Sequence, residues 1–399
     1  MASLRSTLAA LLTVLVIVEA KPKCKTFANN VVCRAGKSDY KLERGLISDN
    51  NRTTGITLRA YLSQNKLQTL KLGVIDEPKK LTHLNLSYNQ LAEFSLGLFD
   101  QLTNLKLLDL KGNKSTDLKP GILDRLTKLI YLDLSNNTIL GKDFVPTIFH
   151  QNSHVIFMDF SGNNMKNSKN DLLNAFQSLE ILYLDRCFLT NIPAFAAKPN
   201  LSTMTQLILS TNQISTLNNP LAFVNLDILE LLDLSANNIE SINDDILLPL
   251  KNLVKVDLRR NKIKIIPDDL FRDMPRLLSV DLYGNQIEDI SVNLFRGSPL
   301  KILNLSNNKI TYLPDNFCLE LRNSGGKINK LLMDPNPWQC ACLMDLLKEL
   351  KKLGIEYNIG KYDGTCPVCV TTNEFNCKRQ QSFNEMYIDM FNEVKHVTA

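Results

Sequence analysis

Apolar and polar residues alternate along most of the chain in one short pattern that recurs. The pattern is L-x-x-L-x-L-x-x-N, and it occurs twelve times between residues 57 and 336. Successive copies lie 23 to 28 residues apart, within the range of about 20 to 29 residues typical of one class of stacked repeats. This period predicts one elongated solenoid of about twelve repeats instead of several globular domains. The positions that close each copy are Asn65, Asn89, Asn113, Asn137, Asn163, Cys187, Asn212, Asn237, Asn261, Asn285, Asn308 and Asn336.

Each copy also predicts one short strand. Its fourth and sixth positions are apolar and enclose a more polar one, as at Leu108 and Leu110, which is the period-two signature of a strand with one buried face. Stacked copies then form a curved parallel sheet, with turns, short helices or extended segments behind it. The sequence therefore predicts an α/β solenoid in which the third and fifth positions face the concave side.

The asparagine column is interrupted once, by Cys187. An asparagine amide there satisfies backbone groups that would otherwise be buried without partners. A cysteine is small, tolerates burial and keeps a weak S–H donor, so Cys187 is predicted to occupy the ladder as a free buried thiol. The alternative is an exposed thiol that joins a partner chain, which would require a distorted turn.

The first twenty residues have the pattern of a signal peptide. Arg5 precedes an apolar run at 8 to 18 that ends in Val18-Glu19-Ala20, and this run is short for a membrane span. An N-terminal membrane anchor is the alternative. No later stretch approaches the roughly 20 apolar residues that a span needs. We therefore expect a secreted, extracellular chain from about Lys21, without stable membrane insertion.

Charge and residue types argue against several kinds of chemistry. The net charge is +5, and the lysines and arginines are scattered, so no nucleic-acid partner is predicted. The four histidines lie in no nucleophile, metal-protease or phosphate-loop motif, and the aspartates are spread one per repeat. We predict no enzyme activity, no metal and no cofactor.

Eight of the nine cysteines lie outside the middle of the array, and in an exported chain they suggest disulfides. A solenoid exposes the apolar edges of its end repeats, and small disulfide-linked caps would cover them. A zinc site at Cys366-x-x-Cys369 is the weaker alternative. The eight are Cys24, Cys33, Cys318, Cys340, Cys342, Cys366, Cys369 and Cys377.

The repeat, with a later F-x-x-L-x-x-L, resembles the extracellular leucine-rich repeats of Toll-like receptor ectodomains, Slit-type proteins and leucine-rich immune proteins. The stretch Asn336-Pro337-Trp338-x-Cys340-x-Cys342 and the later cysteines resemble their C-terminal cysteine cap. The resemblance implies a horseshoe with an N-terminal cap at 21–56, repeats at 57–336 and a C-terminal cap at 337–378, which leaves an amphipathic tail at 379–399. It further implies a Cys24–Cys33 disulfide, with Cys340 and Cys342 joined to two of the three later cysteines and Cys318 to the third. The tail itself is predicted from its own residues, because its apolar side chains recur at helical spacing.

Two columns of the concave face form the candidate ligand site. Four consecutive third positions are apolar, and a row of aspartates occupies the fifth positions beside them, so a ligand with apolar and basic groups would suit this surface. A second aspartate row follows at Asp233, Asp257 and Asp281. The alternative is that these aspartates only keep the sheet solvated. The candidate residues are Leu107, Tyr131, Phe157, Ile181, Tyr183, Asp109, Asp133 and Asp159.

Six N-x-S/T sequons occur, and five are predicted to carry glycans. Glycans on Asn85 and Asn304 would cover the two ends of the concave face and leave its middle repeats accessible. Asn113 lies in the asparagine column and is predicted to stay unmodified. The five are Asn51, Asn85, Asn136, Asn200 and Asn304.

These features predict a secreted module that binds an extracellular protein or glycan-bearing ligand on its concave face. The resemblance implies innate immune recognition, although one fold hosts many functions. The alternatives are an extracellular matrix or cell-adhesion component and an enzyme inhibitor. Homo- or hetero-oligomers are both compatible with the sequence.

Overall fold

A computed structural model describes residues 23–34, 42, 47, 57–362, 366–371 and 376–397. The predicted signal peptide and Asn51 lie outside these residues. The described strands are β1 (Lys23–Phe27), β2 (Asn30–Arg34), β3 (Arg59–Tyr61), β4 (His83–Asn85), β5 (Leu107–Asp109), β6 (Tyr131–Asp133), β7 (Phe157–Asp159), β8 (Ile181–Tyr183), β9 (Gln206–Ile208), β10 (Thr216–Leu217), β11 (Leu231–Asp233), β12 (Ser241–Ile242), β13 (Lys255–Asp257), β14 (Ser279–Asp281), β15 (Ile302–Asn304), β16 (Lys330–Leu332), β17 (Glu356–Asn358), β18 (Lys361–Tyr362) and β19 (Cys366–Pro367). The α-helices are α1 (Phe317–Asn323), α2 (Cys340–Leu353) and α3 (Asn384–Val397), and 3-10 turns lie at Pro146–Phe149, Ala194–Ala197, Pro199–Leu201, Val292–Phe295 and Gln381–Phe383.

One long sheet runs through the described part of the chain and contains fifteen strands. Twelve of them are the repeat strands, one per repeat and each three residues long, and they cover the third to fifth positions of the sequence pattern. Neighbouring repeat strands pair in parallel with equivalent positions opposite each other; Tyr131, for example, lies between Leu107 and Phe157. The predicted leucine-rich repeat solenoid of about twelve repeats is therefore confirmed.

The core lies between this sheet and the turns behind it. The fourth positions of the strands are buried, as at Leu108, Leu132 and Leu232. Behind the sheet, phenylalanines that recur before the next strand fill the rest of the core. Five of these fully buried rings are Phe99, Phe176, Phe223, Phe271 and Phe295.

The asparagine ladder ties each turn to the next repeat. The Nδ2 of Asn137 donates to the carbonyl oxygens of Leu110 (3.1 Å), Leu134 (2.9 Å) and Ser135 (3.2 Å), and its Oδ1 accepts the Ser115 N–H at 3.1 Å. These bonds satisfy backbone groups that the buried turns would otherwise leave unpaired.

Cys187 takes its place in this ladder as a free, fully buried thiol, as predicted. Its Sγ donates to the Phe160 carbonyl oxygen at 3.3 Å. The Met165 N–H, which an asparagine Oδ1 would accept in other repeats, donates to the backbone oxygen of Cys187 at 3.0 Å. Burial raises the pKa of the thiol to about 12. The reactive thiolate is therefore scarce at neutral pH, and this cysteine is a poor nucleophile.

Within the described residues, three disulfides hold the two caps. Cys24–Cys33 closes the β1–β2 hairpin, whose second strand pairs in parallel with β3. Cys340–Cys369 and Cys342–Cys377 anchor the start of α2. The C-terminal cap also adds β17 to the sheet beside β16. Both caps therefore cover the end repeats by extending the sheet.

The prediction that Cys318 forms a disulfide is wrong. Cys318 is a free, fully buried residue of α1, where it packs in the core with Phe317 and Leu321. Its thiol fills a core position that a small apolar side chain would otherwise take. The side chain of Cys366, the partner that this expectation left for it, lies outside the described part.

The predicted amphipathic tail begins as a packed segment. The Thr311 hydroxyl donates to the Asn384 Oδ1 at 2.6 Å, and Tyr387 is buried. Just before α3, Arg379 donates from Nε to the Leu313 carbonyl oxygen at 3.2 Å and lies 2.8 Å from Asp315. The first turn of α3 is thus held beside the last repeats.

Candidate functional site

The apolar residues predicted from the third column form one surface on the concave face. Parallel pairing places Leu107, Tyr131, Phe157 and Ile181 side by side on β5 to β8, all half-buried; we call these four residues the apolar stripe. The Tyr131 and Phe157 rings stack with centroids 4.3 Å apart and an angle of 4°. Phe157 also meets the Tyr183 ring at 5.4 Å and 45°.

The aspartates of the fifth column lie beside the apolar stripe and share one local geometry. We call Asp109, Asp133 and Asp159 the first acidic row. Each uses Oδ1 to accept the backbone N–H two residues later, at 3.0, 2.8 and 2.7 Å respectively. This bond turns the chain out of the strand, which explains why aspartate or asparagine recurs in the column. It also leaves the second carboxylate oxygen without a backbone partner.

The second oxygens of this row have few counter-groups. Asp109 Oδ2 accepts from Asn85 Nδ2 at 2.8 Å, and Asp133 Oδ2 lies 3.5 Å from the Tyr131 hydroxyl that donates to it. Among the described residues, no lysine or arginine nitrogen lies within 4.0 Å of the three carboxylates. Asp133 is 5% exposed, whereas Asp109 and Asp159 are more open.

The titration behaviour of the site reflects this crowding of negative charge. Burial raises the pKa of Asp109 to about 6, and the charge of Asp133 raises it as well, whereas the backbone N–H and the charge of Lys111 lower it. Burial likewise raises the pKa of Asp159, while hydrogen bonds from Ser161 lower it. The pKa of the Tyr131 phenol is raised first by burial and then by the charges of Asp133, Asp109 and Asp159. The apolar stripe therefore lies within a negative field.

A second acidic row lies further along the same column, at Asp233, Asp257 and Asp281, and its surroundings are polar. Arg259 Nε lies 3.4 Å from Asp257 Oδ2. Burial, followed by the charge of Asp233, raises the pKa of Asp257 to about 6, and Arg259 opposes this. The row borders an open cavity of about 540 Å³ lined by Ser210, Thr211, Asp233, Ser235, Ala236, Arg259, Arg260, Asp281, Tyr283 and Asn304.

Sequence reasoning found the aspartates of this cavity but missed Arg259, Arg260 and Tyr283. These three follow their strands at the seventh and eighth positions of the repeat, outside the third and fifth columns. The adjacent arginines after Asp257 were the available signal.

The predicted glycosylation sites differ in how free their amides are. Asn136 is exposed. Asn200 donates from Nδ2 to the carbonyl oxygens of Leu173 (2.9 Å) and Phe176 (3.0 Å), and a glycan would leave only one N–H for both bonds, which disfavours modification there. Asn113 is buried in the ladder. Asn85 and Asn304 are the last residues of β4 and β15, at the fifth position of their repeats on the concave face.

The described residues lack the features of two other kinds of site. They contain no group of three or more His, Cys, Asp or Glu side chains placed to hold a metal ion. None of the described helices combines the length and apolarity needed to cross a membrane.

Comparison with known proteins identifies the family. The family model described as Leucine rich repeat matches residues 61–114, 80–139, 177–239, 202–263, 229–287 and 251–310, which together cover more than half of the chain. The chain therefore belongs to the leucine-rich repeat family. No curated protein sequence matches it.

Solved structures share the fold at low sequence identity. An internalin, InlF from Listeria monocytogenes, is 19% identical with a TM-score of 0.59, covering 79% of this chain and 82% of its own. The leucine-rich repeat domain of APL1B is 17% identical with a TM-score of 0.60, covering 85% and 94%. TLR13, in a complex with ssRNA13, is 25% identical with a TM-score of 0.60, and the match covers 72% of this chain but 40% of TLR13.

Proposed function

We propose that this protein is a secreted recognition module that binds an extracellular protein through the apolar stripe on its concave face. The observation that carries the proposal is the stripe itself: four apolar side chains, two of them aromatic, remain half-exposed on adjacent strands. Aromatic groups on a rigid surface are the residues that most often dominate protein–protein binding energy.

Several features support an extracellular binding role. Leucine-rich repeat domains are generally protein-binding modules, and the described disulfides suit an oxidising compartment. The pattern of residues 1–20 supports export. Innate immune recognition follows from the resemblance to immune leucine-rich repeat proteins and belongs to the proposal on that basis. Each aspartate of the first acidic row accepts a backbone N–H that fixes the turn after its strand. This structural use of the carboxylates fits a role in binding instead of catalysis.

The first acidic row argues for a protein ligand over a nucleic acid. Phosphate backbones carry a dense negative charge and are bound mainly by lysine and arginine. Asp109 and Asp159 would repel such a backbone where it approached the apolar stripe. The ssRNA13 bound by TLR13 is therefore not the ligand class that we propose for this chain.

The test is a paired substitution in the third column. Tyr131→Glu with Phe157→Glu places two charges in the apolar stripe, and Lys255→Glu with Ser279→Glu makes the matched change beside the second acidic row. Tagged secreted proteins would capture ligands from the native extracellular fluid, quantified by mass spectrometry.

We expect the first pair to weaken capture roughly 100-fold or more, because each lost central aromatic anchor costs at least about 2 kcal/mol. The control pair should capture ligands normally, and both should be secreted at wild-type levels. Equal capture by both pairs, with normal secretion, would remove the apolar stripe as the binding surface.

A further inference from the structure

We propose that the protein ligand presents a basic segment, with arginine or lysine stems lying on the apolar stripe and their cationic heads bound by Asp109 and Asp159. This inference rests on the proposed function and adds the chemistry of the partner. It stands on the apolar stripe and the first acidic row together, because they occupy the same four-repeat region in register.

The spacing of the two columns suits a long amphipathic side chain. Third and fifth positions of one strand project to the same face and lie about 6.6 Å apart, two residues of strand rise. Arginine and lysine carry stems of about three or four methylene groups that pack on apolar surface while the head remains polar. A stem resting on Leu107 or Phe157 would thus direct its charge toward Asp109 or Asp159.

The first acidic row has no close ion-pair partner within the described part of the chain, although the nearby charge of Lys111 lowers the pKa of Asp109 and Asp159. Its Oδ1 atoms are engaged by backbone N–H groups, and no described lysine or arginine pairs with it within 4.0 Å. In the second acidic row, by contrast, Arg259 lies 3.4 Å from Asp257. An incoming cation would supply the first row with a close ion-pair partner like the one that Arg259 gives the second row, in a half-buried setting where such pairs are stronger than in water.

The size of the surface favours a polypeptide over a small amine. The apolar stripe crosses four strands, and three strand spacings of about 4.8 Å give a length of about 14 Å. A single ammonium group would contact one repeat, whereas a peptide segment of several residues would contact all four. We therefore commit to a basic protein segment as the occupant.

The probe is a fluorescein-labelled ten-residue peptide of alternating leucine and arginine, with a matched peptide in which citrulline replaces each arginine. Citrulline keeps the planar head and removes the charge. Fluorescence polarisation would measure binding to the full-length secreted protein, to Asp109→Asn with Asp159→Asn, and to the control Asp233→Asn with Asp281→Asn. Asparagine keeps an Oδ1 acceptor for the backbone bond, so both double variants should fold and be secreted.

We expect the arginine peptide to bind the wild type and the control pair alike, and to lose about tenfold or more in affinity for the Asp109→Asn/Asp159→Asn protein. The citrulline peptide should bind at least about tenfold more weakly to the wild type. Equal affinity for the two peptides, equal losses in the two double variants, or no binding of the arginine peptide below about 1 mM would each overturn the inference.

The same variants separate this inference from the proposed function. If capture of the native ligand fails with Tyr131→Glu/Phe157→Glu but persists with Asp109→Asn/Asp159→Asn, the binding surface stands and the basic partner is rejected. If neither variant affects capture, the proposed function falls as well. Loss in both, with the Asp233→Asn/Asp281→Asn control intact, supports the two together.

Discussion

The two acidic rows of the concave face have the same scaffold and different surroundings. In both, the outer aspartates flank a middle carboxylate that is nearly buried, Asp133 at 5% exposure and Asp257 at 2%. In both, the aspartate Oδ1 accepts the backbone N–H two residues later. The third column beside the first row is apolar and aromatic, whereas Leu231, Lys255 and Ser279 stand beside the second.

This difference shows which property of an aspartate column is structural and which is available for binding. The backbone bond is common to both rows, so the presence of aspartate follows from the turn. The partner of the second carboxylate oxygen differs between the rows. Arg259 lies beside Asp257 Oδ2 in the second row, whereas no described lysine or arginine lies within 4.0 Å of the carboxylates of the first row. The reading that these aspartates merely solvate the sheet therefore suits the second row better than the first.

The largest expected effect tests whether the two rows share one scaffold. Asn137→Ala and Asn261→Ala each remove a ladder amide, and Asn261 makes the same set of bonds, to Leu234, Leu258 and Arg259. Buried backbone groups left unpaired should cost about 2–4 kcal/mol of unfolding free energy in each case. Urea unfolding followed by circular dichroism would measure it, and a clearly unequal loss would show that the two regions differ below the surface.

A smaller effect should distinguish the surfaces themselves. Phe157→Ala removes the ring that stacks on Tyr131 at 4.3 Å, and we expect a loss of about 1–2 kcal/mol because the ring is half-buried. Ser279→Ala, at the equivalent position of the second row, should change stability by less than about 0.5 kcal/mol. Similar urea midpoints for the two variants would mean that the apolar stripe contributes no packing of its own.

The smallest difference expected between the rows lies in how their carboxyl groups titrate. The folded pKa values of Asp109 and Asp257 are raised to about 6, mainly by burial. The folded chain then holds these protons more tightly than the unfolded chain. This contribution to stability is complete below about pH 4 and is lost as the pH rises through about 6.

Arg259→Gln should separate the rows in this respect. Burial and the charge of Asp233 raise the pKa of Asp257, and the charge of Arg259 lowers it. Because the substitution removes the Arg259 charge, the pKa of Asp257 should rise further. The pKa of Asp109, which faces Asp133, Lys111 and Ser87, should not change. Carbon-13 NMR titration of labelled aspartate carboxyls would follow both groups, and parallel shifts would contradict the distinction between the rows.

Periodicity alone predicted the repeat strands, the concave columns and the position of Cys187, because each depends on local spacing repeated twelve times. The pairing expected for Cys318 was wrong, since α1 buries that residue in the core and no spacing rule reports the orientation of a helix. The Arg259–Asp257 contact was missed because Arg259 occupies the seventh position of its repeat, outside the two columns that define the concave face. The strand β17 was missed because it lies beyond the last copy of the repeat.

The sequence by itself determined the solenoid, the face of every strand residue and the rows of like residues across the sheet. A period-two strand has one buried face, and parallel pairing of equal repeats brings equivalent positions together. Only the tertiary structure decided which carboxylates stay unpaired, which aromatic rings stack and which asparagine amides remain free. Those outcomes depend on distances and contacts between side chains of different repeats, and a one-dimensional pattern holds no information on such distances.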